Sequence, residues 1–249
     1  MQSALDQFRI SLSCVRDLIA LHNSVKAQAT DALDVSDMLR AALVLAVSAL
    51  DYYVHEVVTL GMLEIHRGQR SEPVPSANTT QSAFSRFQVS LGSARQDRLT
   101  AIDIASWLEN EIQQTQGYAF LQQSYTVSTL IPTISHSLVD KLNNTSWLES
   151  EIRERLGYQS FQQADKIAEA IRYISDKKLW DEVAIRMTKP TKDIKQQLNS
   201  IVDRRNKIAH EADIDPTFGI GSRWNIDEVL VGDAVNFIET LVDSIHQVL

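Results

Sequence analysis

Residues 36–65 read SDMLRAALVLAVSALDYYVHEVVTLGMLEI. Leu43, Val47, Leu50 and Val54 recur at helical spacing and make one apolar stripe. A long helix is predicted over Ser36–Ile65, with Asp34-Val35-Ser36-Asp37 supplying N-cap candidates. Upstream, Leu5, Phe8, Leu12, Val15, Ile19 and Leu21 predict a helix over residues 4–25. The two would pair as an antiparallel hairpin. Glycine (8) and proline (5) are sparse in 249 residues, which favours long helices over many short strands.

The same reading continues downstream. Gly68–Asn78, with Pro73 and Pro75, is a predicted loop, and Thr80–Arg95 a third helix carrying Phe84, Phe87 and Leu91. Residues 106–123, SWLENEIQQTQGYAFLQQ, match residues 146–163, SWLESEIRERLGYQSFQQ, at ten of eighteen positions. This duplication reads as a helix–turn–helix piece, with Trp107 and Trp147 packed inward and Gly117 and Gly157 in left-handed geometry at helix ends. Further helices are expected over Ala164–Tyr173, Leu179–Met187, Thr191–Glu211 and Asp227–Leu249, with a loop over Asp213–Trp224. No segment alternates strictly over a strand's length. The expected fold class is therefore all-α, a single domain over 1–249 with a repeat-containing helical insertion at about 101–175.

Composition narrows the function classes. The single cysteine, Cys14, excludes an internal disulfide. The N-terminus lacks the basic and apolar regions of a signal peptide, and the apolar run Ala41–Leu50 lies between Arg40 and Asp51. A soluble, cytoplasmic protein without a membrane partner is expected. Net charge is −8, yet residues 177–210 hold nine cations against four acids. That island could attract phosphate, or be a solvated helix face. His22, His55, His66, His136 and His246 are scattered, and no Cys-x-x-Cys or His-Glu-x-x-His occurs, so no metal or other cofactor is expected.

The segment Ile201-Val202-Asp203-Arg204-Arg205-Asn206-Lys207-Ile208-Ala209-His210 carries the chemistry. Arginine offers a permanent cation for phosphorane-like charge, and histidine a general acid or base that works near neutrality. With the ribose 2′-OH as nucleophile, RNA can be cut without a metal ion. Arg205 and His210 are five apart and diverge by about 140° on one ideal helix, so a two-fold dimer is expected to build a composite cleft. Asn206 would orient His210 or a phosphate oxygen. Lys192, Lys195 and Lys207 are candidate RNA-binding residues.

Arg205-Asn206-x-x-x-His210 resembles the signature of the HEPN superfamily. Phe161-Gln162-Gln163-Ala164-Asp165-Lys166-Ile167, Trp180 and Asp203–His210 make the chain most similar to its RiboL-PSP group. The resemblance covers helix order over roughly residues 36–249, and only the motif segment is specific. It implies a metal-independent, dimeric endoribonuclease in a toxin, phage-defence or stress-response role, with an antitoxin or defence-system protein as a further partner. It implies catalytic roles for Arg205 and His210, with Asn206 as the polar motif residue of the catalytic set and Asp51 on the early long helix as the candidate supporting acid; Arg204, beside Arg205, is a further candidate for support. A non-catalytic scaffold of the same fold and a nucleotide-modifying enzyme remain as alternatives.

Overall fold

In the computed structural model the stretch 36–65 becomes one unbroken helix, α2 (Ser36–His66). It starts differently from the expectation. Val35 holds the N-cap position without a side-chain bond, and Asp34 Oδ1 instead accepts from the Ser36 amide at 2.8 Å. The Ser36 hydroxyl is taken by Arg40 Nη1 at 2.6 Å. The structure describes residues 1–28, 33–75, 81–87, 101–143 and 145–249. The other helices among them are α1 (Gln2–Gln28), α3 (Ala101–Gln116), α4 (Tyr118–Leu121), α5 (Val127–Asn143), α6 (Ser146–Gly157), α7 (Ala164–Ile171), α8 (Leu179–Met187), α9 (Thr191–Glu211) and α10 (Glu228–Val248). Helix makes up most of the described residues and no strand is formed among them, so the class is all-α.

The chain divides into two compact units, one formed by Met1–Phe84 with Gln159–Leu249 and the other by Ser85–Tyr158. In the first unit α2 is the central element and packs on α1, α7, α9 and α10. Leu43, Val47, Leu50 and Val54 are all buried, each such side chain worth roughly 1.5–3 kcal/mol. By length and composition α2 would also suffice to cross a bilayer, but over half of that stretch is buried inside the bundle. On α1, Phe8, Leu12, Val15 and His22 are buried while Leu21 is exposed. The seven-residue steps from Phe8 through Val15 reach position 22, and Leu21 sits about 100° off that face. Arg9–Asp243, Arg16–Glu239 and Lys26–Glu228, at 2.9, 2.6 and 2.8 Å, run along the outside of the α1–α10 contact. Gly61 lets α2 approach Ile174, since a Cβ there would lie 2.7 Å from Ile174 Cγ2.

Two local expectations are corrected. Residues 81–87 form turns rather than the start of a helix, with the Ser82 hydroxyl held by the Glu72 carboxylate; residues 88–95 lie outside the described residues. Gly157 is the last residue of α6, followed by Tyr158 in right-handed geometry, so it is no left-handed stop. Gly117 does have positive φ, +82°, but with ψ at 159° it is not left-handed helical.

The second unit holds α3 to α6. α3 packs on α4 and α5, Phe120 stacks on Tyr125 at 4.3 Å, and Pro132 lies inside α5. Trp147 is half-buried, and the side chain of Trp107 lies outside the described residues. The two repeat copies share their first helix and then part. Tyr118–Leu121 coils into α4, whereas residues 158–163 stay irregular up to α7. In the second copy the Phe161 amide and the Gln162 side chain both donate to Asp51 on α2.

Candidate active site

α9 follows Pro190, whose φ of −58° suits a helix entry. Ile194, Leu198 and Val202 are buried at four-residue steps, so the next turn carries Arg205 and Asn206 half-buried and the last carries His210 exposed. Val202, Arg205, Asn206 and His210 line one cleft of about 500 Å³. The facing wall is Gln159, Ser160, Gln162 and Gln163, with Lys166 on the first turn of α7. Arg205 Nη1 donates to Asn206 Oδ1 at 3.1 Å, while its buried Nε finds no partner among the described residues. The divergence of Arg205 and His210 around the helix therefore does not keep them from lining one cleft.

Adjacent arginines have separate tasks. Arg204 turns inward, and Nη2 donates to Asp213 Oδ2 at 2.9 Å and to the Trp224 and Asn225 carbonyls at 3.1 Å each. Arg40 reaches the same carboxylate oxygen from α2 at 2.7 Å and the Trp224 carbonyl at 2.9 Å. Asp213 is fully buried between them. Burial pulls the Arg204 guanidinium below its ordinary value, with Asp213 opposing and Arg40 adding to the fall. The cluster fastens the turn after His210, where Ala212 and Asp213 both take positive φ, at 52° and 60°. The Asp213 amide closes that turn on the Lys207 carbonyl at 3.0 Å.

Asp51 builds the facing wall. Oδ1 accepts from the Phe161 amide at 2.6 Å, and Oδ2 from Gln162 Nε2 at 2.9 Å. His55, one turn on, meets the Gln159 carbonyl at 3.1 Å and lies against the Phe161 ring at 4.6 Å. Of the candidate RNA-binding lysines, Lys195 donates to Asp165 at 3.0 Å, Lys207 lies 4.8 Å from the Trp224 ring centre, and Lys192 is exposed. The basic island does not gather on the cleft. Lys177 binds the Val248 carbonyl and Arg186 the Gln247 carbonyl, so both hold the end of α10.

Sequence reasoning gave no site role to Arg40 or Asp213, and named Gln162 and Lys166 only within the segment that carries the family resemblance. A lone arginine in an apolar helix was a signal, because a buried charge requires a partner. The Gln-Gln pair ending each repeat copy was another. Among the described residues, no three His, Cys, Asp or Glu side chains gather as a metal site.

The model of the RiboL-PSP-HEPN family matches residues 10–249. The chain belongs to that family. HEPN domains are often ribonucleases. The RiboL-PSP-HEPN match takes in both walls of the cleft, α9 on one side and residues 159–166 on the other. No curated protein and no solved structure matches the chain.

Proposed function

We propose that this chain is a metal-independent endoribonuclease acting at the Arg205–Asn206–His210 cleft. The observation that carries this reading is that a fixed cation, an amide and an imidazole share one groove in a member of a HEPN family. One base removes the proton of a ribose 2′-OH, O2′ attacks phosphorus, and the P–O5′ bond breaks as the leaving oxygen gains a proton. The products are a 2′,3′-cyclic phosphate and a 5′-OH. His210 serves one of the two proton transfers, Arg205 holds the charge on the phosphoryl oxygens, and Asn206 steadies Arg205. Lys166, which lines the cleft and pairs with Glu169 at 2.8 Å, offers a further phosphate contact.

In this reading a second copy completes the site in a C2 homodimer, for which the exposed place of His210 in the last turn of α9 leaves room. The cellular role proposed is that of a toxin, or of a phage-defence or stress-response nuclease in the cytoplasm, restrained by a cognate antitoxin or defence-system protein. The experiment is cleavage of labelled single-stranded RNA in excess EDTA. Wild type should cut, while Arg205→Ala and His210→Ala should each lose about a hundredfold or more at unchanged helical content. His210→Ala cutting at the wild-type rate would overturn the assignment. RNA bound but never cut would favour the scaffold reading.

A further inference from the structure

We infer that the second unit carries a binding site for an organic cation with several N–H donors, a guanidinium or a polyamine, in the cleft between α3 and α5. None of its residues belongs to the Arg205 cleft, and the inference stands whether or not the chain cuts RNA. The cleft encloses about 360 Å³, within the range of small-ligand sites. Glu111 and Thr115 line it from α3, and Pro132, His136, Ser137 and Asp140 from α5.

The groups on its walls are acceptors. Glu111 is half-buried and has no ion pair among the described residues. Asp140 Oδ2 meets His136 Nε2 at 3.2 Å, which leaves its second oxygen over. Thr115 gives its hydroxyl proton to the Glu111 carbonyl at 2.9 Å, so lone pairs are what it keeps. Pro132 has no amide proton to give. Ser137 points to an occupant. It lines the cleft while only 5% exposed, and among the described residues its hydroxyl has no partner. A helical serine commonly bonds the carbonyl four residues back, as Thr115 does, but Ser137 does not. Its side chain is one carbon and one oxygen, and that oxygen is not sealed from solvent. A buried hydroxyl left open on a cleft wall is completed by what enters the cleft.

The charge along this stretch has one sign. Residues 101–140 hold Asp103, Glu109, Glu111 and Asp140 and no lysine or arginine. Anions are repelled and cations drawn in. Glu111 does not join His136 and Asp140 as a metal site, so one small ion is not shared between the two walls. A cation that serves both must carry donors at more than one place. A guanidinium spreads five N–H groups over a plane, and a polyamine spaces its ammonium groups along a chain. The methylenes of either can lie on the Pro132 ring.

The test is calorimetry on the full chain with spermidine, with N-acetylarginine amide and with tetramethylammonium, which has the charge but no N–H. Spermidine or the blocked arginine should bind at one site per chain, and tetramethylammonium should not compete. Glu111→Gln and Asp140→Asn should each weaken binding roughly tenfold or more, the worth of a charge-assisted hydrogen bond, and Ser137→Ala by roughly two- to tenfold. Glu109→Gln removes an exposed carboxylate outside the cleft and should leave the affinity nearly unchanged. Binding of spermidine alone identifies a free polyamine as the occupant, and binding of the blocked arginine alone a basic side chain of a protein partner. Both binding supports the shared chemistry. The inference is overturned if neither binds at millimolar concentration, or if tetramethylammonium binds as well as they do. It also falls if Glu109→Gln costs as much as Glu111→Gln, or if Glu111→Gln, Asp140→Asn or Ser137→Ala keeps the wild-type affinity.

Discussion

The Arg204 guanidinium and the Asp213 carboxylate meet at 2.9 Å inside the protein, nine residues apart across the end of α9. Arg40 supplies the second cation, so one buried carboxylate ties α2, α9 and the turn that follows. Removing one member leaves an uncompensated buried charge, which costs about 3–5 kcal/mol. Asp213→Ala should lower the urea midpoint accordingly, whereas Arg205→Ala should barely move it. Equal midpoints for wild type and Asp213→Ala would show that the cluster adds nothing to stability.

Mixing Arg205→Ala and His210→Ala subunits discriminates between two constructions of the site. With random pairing of a C2 dimer, half of the dimers are mixed. If Arg and His act from different chains, each mixed dimer regains one of its two sites, and about a quarter of wild-type cleavage returns. If the pair lining the cleft of a single chain works alone, a mixed dimer likewise keeps no intact pair, and the mixture stays inactive.

Gly61→Ala should destabilise the protein despite the better helix propensity of alanine. The added methyl would meet Ile174 Cγ2 at 2.7 Å and Cβ at 2.9 Å, and a β-branched side chain cannot swing aside. Overpacking of this kind costs about 1–3 kcal/mol against a propensity gain of about 1. A melting temperature at or above wild type would refute the contact.

His246 gives the fold a pH dependence of known sign. Burial, the N-terminal ammonium and Arg9 hold its imidazole below the ordinary 6.5, against Asp243 and Asp6. The unfolded chain then takes up the proton first as pH falls. The contribution is present above 6.5 and is lost as pH drops from there through the folded-state value. Wild type should lose more stability than His246→Asn between pH 7.5 and 5.5, as read from urea midpoints. Parallel losses would remove His246 as the source.

Helix identity was legible because apolar spacing and breakers are local properties. Leu179–Met187 and Thr191–Glu211 needed only Lys189-Pro190 to separate them, and α2 needed only its stripe. The motif residues were legible for their chemistry. What stayed hidden was set by contacts distant in sequence. Asp51 lies 110 residues from Phe161, and its hold on that amide turned a repeat copy into a cleft wall. Arg40 lies 173 residues from Asp213, and nothing near either predicted their pairing. The basic island misled for the same reason, since Lys177 and Arg186 are consumed by the end of α10.

The opposed aims of Arg204 and Arg205 carry into genetics. In a living cell a loss of a few kcal/mol appears as reduced abundance, because quality control clears the unfolded fraction. Lesions at codon 204 should therefore deplete the protein itself, while lesions at codon 205 should leave a full complement of silent molecules. A silent but folded copy would still occupy any antitoxin or partner subunit and act dominantly over a wild-type allele. A depleted one would be recessive. Neighbouring codons for the same amino acid would thus fall into opposite inheritance classes.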